Sequence, residues 1–258
     1  MDVILNINNL KYDSLFQDIS IYIEKNTITA ISGPNNCGKT TLFKILSRAI
    51  KIKENIILDG KEIYEYSDYE YDKIVQTVFS TETIFHENTI IDELYFQDKN
   101  ADKEKINFII SGLNLNKIKN KNISKLSEKE KMLTQIAKAI LNSNSIVLID
   151  EIDYYFTKDE LIILYESFYQ FIKKYNMTFL ITCLNLDSLI NIDHLYIIKD
   201  GKIVLKGNPL QVLSKDNTIN KIGLEVPFMI DLSIKLRDYQ LVDKIILNQD
   251  EMIGELWK

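Results

Sequence analysis

"GPNNCGKTT", Gly33 to Thr41, decides the fold of this chain. It fits the pattern Gly-x-x-x-x-Gly-Lys-Ser/Thr, directly after the apolar, β-rich run TITAIS at 27–32 and before a helical stretch from Lys39 to about Ala49. Strand, glycine loop and helix in that order build a cradle for phosphate. Backbone N–H groups around Gly38 would face a β-phosphate, and the positive end of the helix favours an anion there. The expected nucleotide-binding segment is therefore Gly33, Pro34, Asn35, Asn36, Cys37, Gly38, Lys39, Thr40 and Thr41. Lys39 is expected to reach the β- and γ-phosphates, serving catalysis as well as binding, and Thr40 to ligate Mg2+. A second stretch, SIVLIDE at 145–151, carries an apolar strand that ends in two acids. Asp150 is expected to hold Mg2+ through water, and Glu151 to polarise the attacking water. ATP and Mg2+ are the implied cofactors.

Outward from these motifs, strand-like runs occur at 3–7, 19–23 and 27–32, and NIILDGKEI at 55–63 predicts a hairpin turning at Asp59-Gly60. The segment from about 80 to 142 is mostly helical in pattern. Strands then alternate with helices: 145–150, a helix over about 158–174, MTFLIT at 177–182 and LYIIK at 195–199, the last paired through Asp200-Gly201 with KIVLK at 202–206. That alternation predicts an α/β core with a mostly parallel sheet. From about 216 the pattern is helical again, with apolar Phe228, Leu232, Ile234 and Leu236.

Composition narrows the function classes. The 258 residues carry 31 basic and 37 acidic side chains, a net charge of −6, which gives no electrostatic reason to expect nucleic acid as a partner. Cys37 and Cys183 stand far apart without CxxC spacing and read as free thiols in a reducing compartment. No apolar run approaches the roughly 20 residues that span a bilayer, and MDVILNINNLKYD lacks the basic start and apolar stretch of a signal peptide. The expectation is a soluble chain that meets a membrane only through protein partners.

"KLSEKEKMLTQIAKAI" at 125–140 selects among phosphate-loop families. Its LS stands 24 residues before Asp150 (150 − 126 = 24), and QIAKAI leads toward the second acidic strand. In this the chain resembles the ATP-binding cassette (ABC) ATPases, whose LSGGQ signature stands at that distance. The resemblance implies a phosphate-loop NTPase of the ABC ATPase fold, a RecA-like core with a β-subdomain and a helical subdomain at about 80–142. It also implies that Tyr12, in NLKYD, is the aromatic residue that stacks on adenine. IGLEVPFMIDLSIKLRD at 222–238 followed by ILNQDEMIGEL resembles the C-terminal extension of the ATPases of energy-coupling factor (ECF) transporters. The implied domains are 1–215 for the ATPase and 216–258 for a helical dimerisation extension.

As such ATPases do, the chain is expected to work in a pair with a second ABC ATPase subunit, as a heterodimer. The pair would drive a transmembrane coupling protein and, through it, a membrane-embedded substrate-binding component for vitamins or metal ions. Its expected place is the cytoplasmic face of the cell membrane, as a peripheral subunit. Several family positions are altered. The signature glycines are Glu128 and Lys129 and its glutamine is Glu130, while Ser127 and Glu130 form a helix capping box instead. Cys183 stands at the switch histidine, Ser80 at the conserved-loop glutamine, and Thr157 at the aspartate seven residues past Asp150. An ATPase impaired when alone, and a nucleotide-binding structural subunit with little hydrolysis, both follow from those changes. A single cassette without a basic patch argues against a soluble ABC protein acting on translation or DNA.

Overall fold

The computed structural model describes residues 2–53, 56–80, 84–96 and 102–257. Among the described residues, runs rich in isoleucine, valine, leucine and threonine make up most of ten strands: β1 (Val3–Tyr12), β2 (Phe16–Glu24), β3 (Ile28–Ser32), β4 (Ile56–Leu58), β5 (Lys61–Glu62), β6 (Val75–Val78), β7 (Ile146–Ile149), β8 (Thr178–Cys183), β9 (His194–Lys199) and β10 (Lys202–Gly207). They join in the order β5-β4-β1-β2-β10-β9-β3-β8-β7-β6. The run β9-β3-β8-β7-β6 is parallel, and the β1, β2, β4, β5 arm is antiparallel. Asp59 and Gly60, with φ of 48° and 81°, make the expected tight turn between β4 and β5. The first residue of that hairpin, Asn55, lies outside the described residues.

The helices are α1 (Lys39–Leu46), α2 (Asp68–Ile74), α3 (Ile90–Tyr95), α4 (Lys103–Gly112), α5 (Glu128–Asn142), α6 (Lys158–Tyr175), α7 (Pro209–Leu213), α8 (Asp216–Lys221), α9 (Phe228–Asp238) and α10 (Gln249–Leu256). Three of them lie in the segment expected to be helical, 80–142, of which residues 81–83 and 97–101 lie outside the described residues. α2 and β6 do not stand out in the sequence. DYEYDKI buries only Tyr71, and the four residues of β6 are too few to set a period. What fixes them is the capping box of Ser67 with Glu70 and the parallel pairing of β6 with β7.

The central strands are buried on both faces, so their side chains alternate between two cores. Ile146, Leu148, Leu180 and Ile198 join Leu42, Phe43 and Ile45 of α1 on one face. Val147, Ile149, Phe179, Ile181 and Ile197 join α5 and α6 on the other. The tail continues this second core through Ile219, Ile222, Leu224, Ile230 and Ile234. Phe228, Leu232 and Leu236 do not form one open apolar face. Leu232 and Leu236 pack within the chain against Val242, Ile246 and Met252, and only Phe228 is largely exposed. Ser233 ties this small cluster, donating to the Ile246 carbonyl at 3.0 Å and accepting from its N–H at 2.9 Å. Among the described residues, no helix is long and apolar enough to cross a membrane.

Candidate nucleotide site

The phosphate loop leaves β3 between β8 and β9, at the C-terminal ends of parallel strands where open α/β sheets bind ligands. Its two glycines answer to close approach. A Cβ on Gly33 would lie 2.3 Å from the Ile198 carbonyl oxygen, and one on Gly38, at φ 102°, 2.5 Å from the Phe16 ring. α1 begins with no side-chain cap and no acid in its first turn. Leu42 N–H bonds back to the Gly38 carbonyl at 2.8 Å, so the N–H groups before it are the orphan donors of a helix start. Lys39 is buried and donates to the carbonyls of Gly33 at 2.8 Å and Pro34 at 3.3 Å. Burial pushes the Cys37 thiol up, against the opposing pull of the Lys39 charge.

Glu151 joins Leu15, Asn35, Asn36, Gly38, Lys39, Thr40 and Thr41 around one cleft of about 470 Å³. The two motifs, over a hundred residues apart, therefore converge. Asp150 is buried at the end of β7, and Thr182 of the neighbouring β8 serves both acids. The Thr182 hydroxyl donates to Asp150 Oδ1 at 2.6 Å and accepts from the Glu151 N–H at 2.7 Å. Glu151 takes a left-handed backbone, φ 49°, a conformation an L side chain adopts only when its surroundings impose it. Pro34, Asn35, Asn36 and Cys37 also line a second cleft of about 500 Å³ with Ser14, Leu15 and Gln17. Tyr12 lines neither cleft. It sits at the tip of the β1–β2 hairpin opposite Phe16, so the side chains beside the loop are those of residues 14, 15 and 17.

The profile of the ABC transporter family matches residues 16–153, which is 138 of the 258 residues. The chain belongs to the ABC transporter family. It is similar over its whole length to the energy-coupling factor transporter ATP-binding protein EcfA1 of Streptococcus agalactiae, 24% identical over 274 residues, covering 100% of this chain and 98% of the relative. EcfA1 of Leuconostoc mesenteroides is 25% identical over 248 residues, covering 91% of each. Among solved structures, cbiO1 of Clostridium perfringens, described as part of the ABC transporter complex cbiONQ, superposes with a TM-score of 0.75 at 22% identity, covering 90% of this chain and 99% of that one. As an ABC-family ATPase the chain binds ATP, and hydrolysis coupled to transport is the family's activity.

In this ABC-family chain, the altered positions have definite local roles. Ser127 caps α5, accepting from Glu130 N–H at 3.2 Å, while the Glu130 carboxylate takes the Ser127 N–H at 2.7 Å. That bond uses an acceptor lone pair of the serine hydroxyl and not its proton. Glu128 pairs with Lys131 at 2.7 Å, and Lys129 turns away to Glu160 at 2.6 Å. Thr157 caps α6 in the same manner as Ser127 caps α5. Cys183 is fully buried at the end of β8. Burial holds its thiol protonated, well above its ordinary range. Gln76 bonds back to the Asp72 carbonyl, away from the cleft. His86 stacks on Phe96 at the surface and His194 faces Glu24.

Three further residues position the site and escape sequence reasoning: Thr182, Asp153 and Tyr155. Asp153 Oδ2 accepts from the N–H groups of Leu184 at 2.8 Å and Asn185 at 2.6 Å, tying the loop after β8 to the loop after β7. A hydroxyl near the end of the largely apolar strand TFLITC is the available signal for Thr182.

Proposed function

We propose that the chain is the ATP-binding subunit of an ECF-type transporter, coupling ATP binding and hydrolysis to the uptake of vitamins or metal ions through a transmembrane coupling protein. The observation that carries this reading is the convergence of Lys39, Thr40 and Glu151 on one cleft, in a chain whose full length, tail included, aligns with ECF ATPases. The loop from Gly33 to Thr41 binds the phosphates, with Lys39 moving its ammonium from the loop carbonyls to the β- and γ-phosphates. Tyr12 remains the candidate for adenine, reached from the hairpin beside the cleft. Glu151 orients and polarises the attacking water.

The metal site has a physical motive. Asp150 is a buried carboxylate bonded by one hydroxyl, and among the described residues no cationic side chain pairs with it. Thr40 and Asp150 offer the hard oxygen donors that suit Mg2+, which would neutralise charge on the phosphate oxygens. Partners follow from the same reading: a second ABC ATPase subunit in a heterodimer, the coupling protein, and a membrane-embedded substrate-binding component. The chain then sits peripherally on the cytoplasmic face of the membrane.

A nucleotide-binding structural subunit is the second reading, favoured by the buried Cys183 and by Glu128 and Lys129 standing where the ABC signature has glycines. Turnover separates the two. Losing one positioned transition-state contact costs about 10² to 10³ in rate, so the chain alone should be slow and a sister ATPase with an intact signature should raise turnover. No turnover in the mixed complex selects the structural reading. Binding is tested apart from turnover: Mg-ATP at 100-fold over its dissociation constant should stabilise the fold by about 2.7 kcal/mol. A thermal shift absent in the chain, or undiminished in Lys39→Ala, would sink the nucleotide reading itself.

A further inference from the structure

Ser80 follows β6, is buried, and is held at two points by one short segment. Its hydroxyl donates to Glu151 Oε2 at 3.2 Å, and its carbonyl accepts from the Tyr155 phenol at 3.0 Å. Glu151 and Tyr155, four residues apart, thus grip Ser80 by side chain and by backbone. At its other end Glu151 is fixed by the left-handed backbone and by the N–H bond to Thr182.

We propose that Ser80 is a positioning residue for Glu151, and that Tyr155 holds Ser80 in place to do it. The inference rests on Glu151 being the residue that polarises water. A glutamate has three side-chain torsions to order, and leaving them free dilutes the productive geometry. An ionised carboxylate only accepts hydrogen bonds, so the single Ser80 proton engages Oε2 and leaves Oε1 for a water. The Tyr155 phenol keeps the serine backbone from withdrawing. This division of labour uses a short hydroxyl where the ABC pattern has a longer amide.

The test uses the full chain in the complex purified with its co-expressed subunits, measuring kcat and KM for ATP in Ser80→Ala, Ser80→Thr, Glu151→Gln and the Ser80→Ala/Glu151→Gln double variant. A misplacement near 1 Å can cost up to about 10²-fold. Ser80→Ala should therefore lower kcat about 10-fold with KM nearly unchanged, Ser80→Thr should recover most of it, and Ser80→Ala should add nothing once Glu151 is glutamine. Ser80→Ala at full speed beside a slow Glu151→Gln overturns the positioning role and leaves the role of Glu151 standing. Glu151→Gln at full speed overturns the role of Glu151 and this inference with it. An equal loss from Ser80→Ala in both backgrounds, or no recovery with threonine, places the serine's effect elsewhere and overturns the proposal.

Discussion

Gly38 has no room for a methyl group, because a Cβ there would press into the Phe16 ring while φ stays at 102°. Backbone strain of this kind costs about 1–3 kcal/mol, and overpacking about 1–3 kcal/mol more. Gly38→Ala should therefore lower the urea midpoint and abolish the Mg-ATP thermal shift together. A variant of normal stability that still binds ATP would show that Phe16 yields freely. Residues of this sort are legible in sequence, since the loop, the lysine and the threonine act through contiguous backbone and fixed spacing. Thr182 is not. Its partners, Asp150 and Glu151, lie 32 and 31 residues away and meet it only when β7 pairs with β8. Asp153 is hidden for the same reason, being bonded to backbone N–H groups more than thirty residues on.

α3 carries a charge into the interior of the helical segment and settles it there. Glu93 is buried, accepting from the N–H groups of His86 at 2.8 Å and Glu87 at 2.9 Å and from the Lys138 ammonium of α5. Burial pushes its carboxyl up, but the Lys138 bond and the two N–H bonds outweigh that and hold it below the ordinary range. A depressed folded value means stability that is complete above the unfolded glutamate pKa, about 4.3, and is lost as pH falls through the folded one. Urea midpoints measured from pH 6 down to 3 should fall in the parent and fall less in Glu93→Gln, which should already be weaker at pH 7 by up to about 3 kcal/mol. Parallel curves would remove Glu93 from that account. The sequence IIDEL gives no hint of it, because an acid in a helix's first turn reads as a solvated one. α5, by contrast, was plain: its capping box and the spacing of Met132, Ile136 and Ile140 belong to local physics.

Across the whole molecule, the tail divides into a half built into the main core and a half that presents apolar surface. Ile253, Leu256 and Trp257 share one face at i, i+3 and i+4, exposed by 56%, 45% and 85%. Substituting Ile253 and Trp257 by glutamate should leave the isolated chain within about 0.5 kcal/mol of the parent and weaken pairing with a second ATPase at least about tenfold, as read by native mass spectrometry. A stable self-dimer as the main species, unaffected by either change, would refute both the heterodimer and this face. Sequence pattern announced the tail's helices but not which apolar residues they keep for themselves, because Leu232 and Leu236 look the same whether they meet Val242 and Ile246 or another protein. The placing of β3 has a consequence for synthesis. Ile28 pairs with Phe179, 151 residues later, and Thr29 pairs with His194. At about 5–20 residues per second, the ribosome needs roughly 8–30 s to make the strands that flank the one bearing the phosphate loop. Until those strands emerge the phosphate loop lacks its flanking partners, so cellular nucleotide can steady the fold only after β8 and β9 have been made.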